Sequence, residues 1–221
     1  MYDRVRDSYD RVAKRYAEEI AGELAGKPLD RALLRCVHDL VRDFEESSAI
    51  NGIVDLGCGP GHIAAYLAAL DVPVTGIDIS ATMTELGARR YPEVSFRVGS
   101  LLTLPATDGE FAAAVSLYSI IHLKPADRPL AYAQMHRVIA PGGWLLLAFH
   151  VSPPEGTDGD IMHVDEWWGE QVDLDFYYIE PAAVVEGVTQ SGFTVMSRTD
   201  RQPWPGVEHQ SQRCYLLCRR S

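Results

Sequence analysis

Basic clusters are the first thing this chain lacks. No run of Lys or Arg exceeds a pair, as at Arg89-Arg90 and Arg219-Arg220, and the formal net charge is −11. An acidic surface repels phosphate backbones, so nucleic acid is not the expected partner. Long apolar runs are missing too. Residues 63–70 form one of the longest, far short of the ~20 residues that span a bilayer. The first residues are charged and have no apolar stretch of the kind a signal peptide carries. The expectation is a cytoplasmic chain without a membrane partner, monomeric or homodimeric.

Cysteine is scarce. Cys36, Cys58, Cys214 and Cys218 are the four present. A chain of 221 residues buries roughly 70% of its unfolded surface, so it needs no staples. Cys214 and Cys218 are spaced too widely for the usual zinc pair. Buried free thiols and no metal site are expected. What remains is ordinary globular composition, 47% hydrophobic and 23% charged, which excludes whole-chain disorder, collagen and coiled coil.

The organisation follows from periodicity. Tyr2, Val5, Tyr9, Val12, Tyr16 and Ile20 recur at spacings of three and four, one apolar stripe on a helix. Lys27-Pro28 interrupts it, and Asp30 is placed to cap a second helix running to about Glu46. Residues 1–48 thus form an N-terminal helical segment closing over the rest. From residue 49 short β-rich runs alternate with helical stretches. Strands are expected near residues 53–56, 74–79, 94–98, 111–117 and 144–149, with helices near 62–70, 81–90 and 129–139. This alternation predicts an α/β fold, a doubly wound, mostly parallel sheet with helices on both faces. Residues 181–190 return to helix, and residues 193–198 and 214–218 read as a closing pair of strands.

Residues 150–180 break the alternation. They form a cap inserted after the fifth strand, at the sheet end where open α/β folds bind ligands. Between Val151 and Glu180 there are nine acids and no Lys or Arg, interleaved with Trp167, Trp168, Phe176, Tyr177 and Tyr178. If the acids face the pocket they favour a cationic substrate; if they face water they supply only solubility. The paired tryptophans point to an apolar or aromatic small molecule.

The segment Val54-Asp55-Leu56-Gly57-Cys58-Gly59-Pro60-Gly61 follows a strand and opens a helix. Asp78 ends the next strand, about 20 residues on, where a carboxylate can hold both hydroxyls of a ribose. A dinucleotide loop wants G-x-G-x-x-G, and here His62 stands where the third glycine belongs. Asp55 puts a carboxylate beneath the loop, unsuited to pyrophosphate but suited to an ammonium. A ribose-bearing ligand with a cationic end fits better than NAD.

With these residues the chain resembles the class I S-adenosylmethionine-dependent methyltransferases. Residues 54–61 resemble that family's first motif, residues 76–83 its second, and residues 137–143 the approach to its fifth strand. The resemblance runs from about Tyr9 to the C-terminus. It implies a Rossmann-like fold, S-adenosyl-L-methionine as cofactor and S-adenosyl-L-homocysteine as product. It places Gly57, Cys58, Gly59 and Gly61 around the methionine moiety, with Asp55 near its ammonium. It places Asp78 on the ribose and Ile79 and Met83 beside the adenine. Family members often carry Asp after the third strand; here Ser100 and Leu101 stand there, which costs a charge-assisted hydrogen bond. Tyr118 falls in the cofactor-facing segment after strand four. Tyr16, with Tyr9, lies on an N-terminal helix folded over the cofactor.

Methyl transfer from a sulfonium is an in-line displacement, and alignment carries most of the catalysis. His122, beyond strand four, is the candidate general base if the nucleophile must lose a proton. His150, His163, Trp167 and Trp168 are candidate substrate contacts. The expected activity is methyl transfer to oxygen or nitrogen of a small, apolar or aromatic molecule, with an amine-bearing one open. The alternatives are a protein or RNA methyltransferase, a nicotinamide-dependent oxidoreductase, and a non-catalytic cofactor-binding protein.

Overall fold

The computed structural model describes residues 2–42, 52–153 and 160–221. The 48/49 boundary, the end of the second expected helix and part of the cap, with Pro154, Glu155 and Asp158, lie outside the described residues.

The strands are β1 (Ile53–Leu56), β2 (Val74–Asp78), β3 (Ser95–Val98), β4 (Phe111–Leu117), β5 (Ile139–His150), β6 (Ile161–Trp167), β7 (Glu170–Tyr177), β8 (Phe193–Arg201) and β9 (Arg213–Arg220). The helices are α1 (Asp3–Ile20), α2 (Pro28–Arg42), α3 (His62–Ala68), α4 (Ala81–Arg90), α5 (Arg128–Val138) and α6 (Pro181–Gln190). Seven strands form one sheet in the order β3-β2-β1-β4-β5-β9-β8. The first five pair in parallel, and β9 runs antiparallel to both neighbours.

Alternation along the strands builds two cores. Val54 and Leu56 of β1 pack with Leu145 and Leu147 of β5 against Met135 of α5 and Val188 of α6. Ile53 and Leu146 face the other way, against Leu34 of α2 and Ile63 and Leu67 of α3. Successive side chains point to opposite faces, so each strand serves both helical layers. At the centre, β1 and β4 lie side by side with β2 and β5 outside them. The chain order reverses there, which opens a crevice at the strands' carboxyl ends.

Three expectations change. The cap is a two-stranded antiparallel hairpin, β6–β7, closed by a turn with Trp168 and Gly169 at φ 55° and 83°. β5 begins at Ile139, not Trp144, because Ile139 already pairs with Phe111 of β4, with an irregularity before Trp144 where Gly142 takes a φ of 78°. Asp30 does not cap α2. It sits inside that helix, 1% exposed, and its carboxylate accepts from Tyr215 and Arg201.

α1 and the hairpin share a third apolar cluster of Val5, Val12, Val172 and Leu174. Arg4 pairs with Asp173 and Asp175, and Ser8 Oγ accepts from the Asp173 amide at 2.8 Å. The two elements form one roof over the carboxyl ends of the sheet.

Candidate active site

Beneath that roof lies a cavity of about 620 Å³. That is within the range of small-molecule sites, roughly 300–1,000 Å³. Its two ends differ in chemistry.

At one end the loop after β1 turns through Gly57, Gly59 and Gly61, all with positive φ. Two of these glycines act in different ways. A Cβ on Gly61 would lie 2.5 Å from the Phe96 ring, so that glycine serves packing. A Cβ on Gly59 would meet only the Tyr16 ring, at 3.7 Å, and would otherwise project into open cavity. Gly59 leaves the backbone bare on the cavity wall.

Asp78 ends β2 and is held in place by amides. Its Oδ2 accepts from Gly59 N and its Oδ1 from Ser80 N, both at 2.8 Å. Ser80 caps α4 by accepting from Met83 N and donates to Asp10 of α1. Asp55 is 2% exposed, and its Oδ2 has no hydrogen-bond partner among the described residues. Burial, with Asp78 nearby, pushes its carboxyl up to about 8. An orphaned carboxyl on a cavity wall calls for a donor or cation from a ligand.

Ile79, Met83, Ser100 and Leu101 line the same end. Glu23, on the helical turn before α2, bridges His62 Nε2 at 2.8 Å and Lys27 Nζ at 2.7 Å. Burial raises its pKa, but these two partners outweigh it and hold it at about 2.

The other end is aromatic and imidazole-rich. Tyr9, Tyr16, Trp167 and Trp168 form edge-on and stacked contacts, with the two indoles 4.6 Å apart. His122 lies just past β4, and both of its nitrogens are engaged. Nδ1 lies 3.1 Å from the Asp175 carbonyl, which can only accept, so Nδ1 carries the proton. Nε2 therefore accepts from the Tyr9 hydroxyl at 2.8 Å. Burial lowers its pKa to about 4, which keeps the ring neutral. Tyr118 takes a φ of 59°, unusual for a bulky residue, and stacks on His150 at 4.9 Å.

Most of the residues singled out in the sequence reach this cavity: Tyr16, Asp55, Gly57, Cys58, Gly59, Asp78, Ile79, Met83, Ser100, Leu101, Tyr118, His122, His150, Trp167 and Trp168. Gly61 and His163 do not line it. His163 points outward, 54% exposed, and pairs with Asp175 at 2.9 Å. Its strand position turns it to the solvent face of the hairpin. His150, His163 and Asp165 make no metal cluster, and none of three ligands occurs among the described residues.

Among its described residues the cap supplies His150, Met162, Val164, Trp167, Trp168, Phe176 and Tyr178 to the wall and no carboxylate. Lys27, Asp30, Glu208, His209 and Arg213 also reach it, and sequence reasoning missed all five. They come from the turn before α2, from α2, from the region between β8 and β9 and from the start of β9. No motif marks them, because only tertiary packing brings those segments to the β5 end.

Residues 53–143 match the family model described as a methyltransferase domain. Over these residues the chain carries a methyltransferase domain, in keeping with its resemblance to the class I S-adenosylmethionine-dependent methyltransferases. It is 32% identical over 152 residues to a demethylmenaquinone methyltransferase of Beutenbergia cavernae, covering 68% of this chain and 59% of that one. It is 33% identical over 117 residues to an O-methyltransferase of Penicillium expansum, covering 50% and 42%. The chain thus spans about half the length of these curated relatives. In fold it is similar to a crystal structure of a SAM-dependent methyltransferase from Methanosarcina mazei, with TM-score 0.68, 18% identity, and 81% and 96% of the two chains covered.

The family's cofactor is S-adenosylmethionine, and the first end of the cavity fits it. Asp78 offers carboxylate oxygens to ribose hydroxyls, the unpartnered Asp55 suits an ammonium, and bare Gly59 admits a close approach. No described helix is long and apolar enough to cross a membrane.

Proposed function

We propose that this protein binds S-adenosylmethionine and transfers its methyl group to oxygen or nitrogen of a small molecule with an apolar or aromatic body. One observation carries the reading. The end with Asp55 and Asp78 and the aromatic, imidazole-lined end belong to a single roofed cavity. A nucleoside site alone would not need the second end. The names of the relatives, which include an O-methyltransferase and a demethylmenaquinone methyltransferase, support a small-molecule acceptor.

The cofactor supplies an activated methyl group on a sulfonium. The chain's own residues orient the reactants and exclude water. Asp78, locked by two backbone amides, fixes one end of the bound nucleoside. Asp55 sets the other. The residue 1–48 segment contributes Tyr9 and Tyr16 as a roof, and aromatic faces favour a cationic sulfur. His122 has no free nitrogen, so it positions Tyr9 instead of taking a proton from the acceptor directly. Alignment of this kind supplies several kcal/mol of the barrier reduction without a strong base.

Thermal unfolding with S-adenosylhomocysteine, beside NAD and NADP, tests the reading. A ligand at about 100 times its Kd stabilises by ~2.7 kcal/mol. For a chain of this size the melting shift is roughly 5–10 °C. A shift with NAD alone would overturn the assignment of the glycine loop.

A further inference from the structure

His150 closes β5 and lines the cavity. Its Nδ1 lies 2.7 Å from Ser211 Oγ. Ser211 is 1% exposed, and its hydroxyl has no other partner among the described residues. A buried hydroxyl hydrogen needs an acceptor, so it goes to Nδ1. The imidazole proton is then on Nε2. That N–H has no partner among the described residues and belongs to a cavity-lining ring. His150 is a hydrogen-bond donor waiting for an acceptor atom, not a base.

The surroundings give this donor a sign. The Tyr118 ring stacks on His150, and two cations sit over that same ring, Lys27 at 5.6 Å and Arg213 at 5.7 Å. His209, bonded to Tyr178 at 3.1 Å, flanks it on the remaining side. Glu23, Asp30 and Glu208 offset the cations in number, yet the groups acting most strongly on His150 are all bases. Burial and then Arg213, His209 and Lys27 hold its pKa well below the usual value, so it stays neutral. The described cap carboxylates, which would welcome an amine, do not line the cavity.

We propose that the acceptor is an acidic hydroxyl, of the phenol or enol type, and that the Nε2–H of His150 holds it as the oxyanion in the field of Lys27 and Arg213. This rests on the methyltransferase reading. The acceptor's proton leaves to solvent on binding. An oxygen lone pair then forms the C–O bond while the S–C bonding pair stays on sulfur. A methyl ether and a neutral thioether result, one proton is released overall, and the charge balances. A positive field lowers the pKa of the hydroxyl, which removes the need for a strong general base.

The probe is 4-nitrophenol, whose ionised form absorbs visible light. It is titrated with pH on the full chain saturated with S-adenosylhomocysteine, with benzylamine as the competing probe. The bound phenol ionises at a pH about one unit or more below the free one, a tenfold effect. His150→Phe keeps the stack on Tyr118 but abolishes the shift, with S-adenosylhomocysteine affinity within about threefold. His150→Gln, which retains an N–H donor, keeps most of the shift. The inference is overturned if the phenol binds in neutral form, if His150→Phe leaves the shift intact, if benzylamine binds more tightly, or if nitrophenol fails to bind protein that does bind S-adenosylhomocysteine. Absence of S-adenosylhomocysteine binding would instead sink the methyltransferase reading itself.

Discussion

The hydroxyl of Tyr9 on α1 donates to Nε2 of His122, 113 residues away, across 2.8 Å. Nδ1 of the same ring donates to the Asp175 carbonyl on β7. One imidazole thus joins the N-terminal helix, the end of β4 and the cap hairpin. Tyr9→Phe leaves Nε2 without a donor, a loss of about 1–3 kcal/mol for a buried acceptor. We expect kcat to fall about tenfold, equivalent to ~1.4 kcal/mol, with S-adenosylhomocysteine affinity little changed. His122→Asn can replace only part of this geometry and should match Tyr9→Phe in kcat and in its pH profile. A pH profile that loses an ionisation only in the His122 variant would restore the general-base role.

Asp55 predicts a pH dependence. Burial raises its folded pKa to about 8, from 3.8 for an ordinary aspartate. The folded state therefore holds this proton more tightly than the unfolded chain. Its contribution to stability is full below pH ~4 and is lost as pH rises toward 8. Asp55→Asn should flatten the stability of the ligand-free protein between pH 5 and 8, measured as the denaturant midpoint. If an ammonium ligand pairs with the ionised form, binding of S-adenosylhomocysteine at pH 7 releases a proton. Calorimetry in buffers of different ionisation enthalpy detects it, and the Asn variant should show none.

Gly59 and Gly61 separate ligand space from packing. Both take positive φ, so alanine at either costs about 1–2 kcal/mol in the backbone. At Gly59 the added methyl enters the cavity, and S-adenosylhomocysteine binding should fall at least about tenfold with the fold retained. At Gly61 the methyl collides with Phe96, so the melting temperature should drop further than in the Gly59 variant. Equal binding by Gly59→Ala and the parent protein would remove the loop from the site.

Glu208 faces Lys27, Arg201 and Arg213, with its side chain 2% exposed. Removing one partner from buried ion pairs costs about 3–5 kcal/mol. Glu208→Gln should therefore lower the melting temperature by on the order of 10 °C. His163→Ala, at an exposed pair outside the cavity, should change stability by less than about 1 kcal/mol and leave turnover intact.

The sequence by itself determined the sheet, the glycine loop and the nucleoside end of the site. Those features are local: glycines at fixed spacing after an apolar strand, and an acid at the end of the next one. The backbone carries such signals over a few residues, so Gly57, Gly59, Asp55 and Asp78 were readable without contacts. The parallel order followed from alternating strands and helices, because parallel pairs need crossovers.

Only the tertiary structure decided the acceptor end. The cap residues read as an irregular acidic insertion, and pairing turned them into a hairpin. Period-two alternation, shifted by a bulge between Val164 and Glu166, then set which side faced in. Trp167 and Phe176 line the cavity, while His163 and the described acids of the cap do not. His122 and His150 look alike in sequence. What distinguishes them is hydrogen bonding to partners over 50 residues away, Asp175 and Tyr9 for one, Ser211 for the other. A proton's position on an imidazole is set by its neighbours, and neighbours that distant in sequence exist only once the chain has folded.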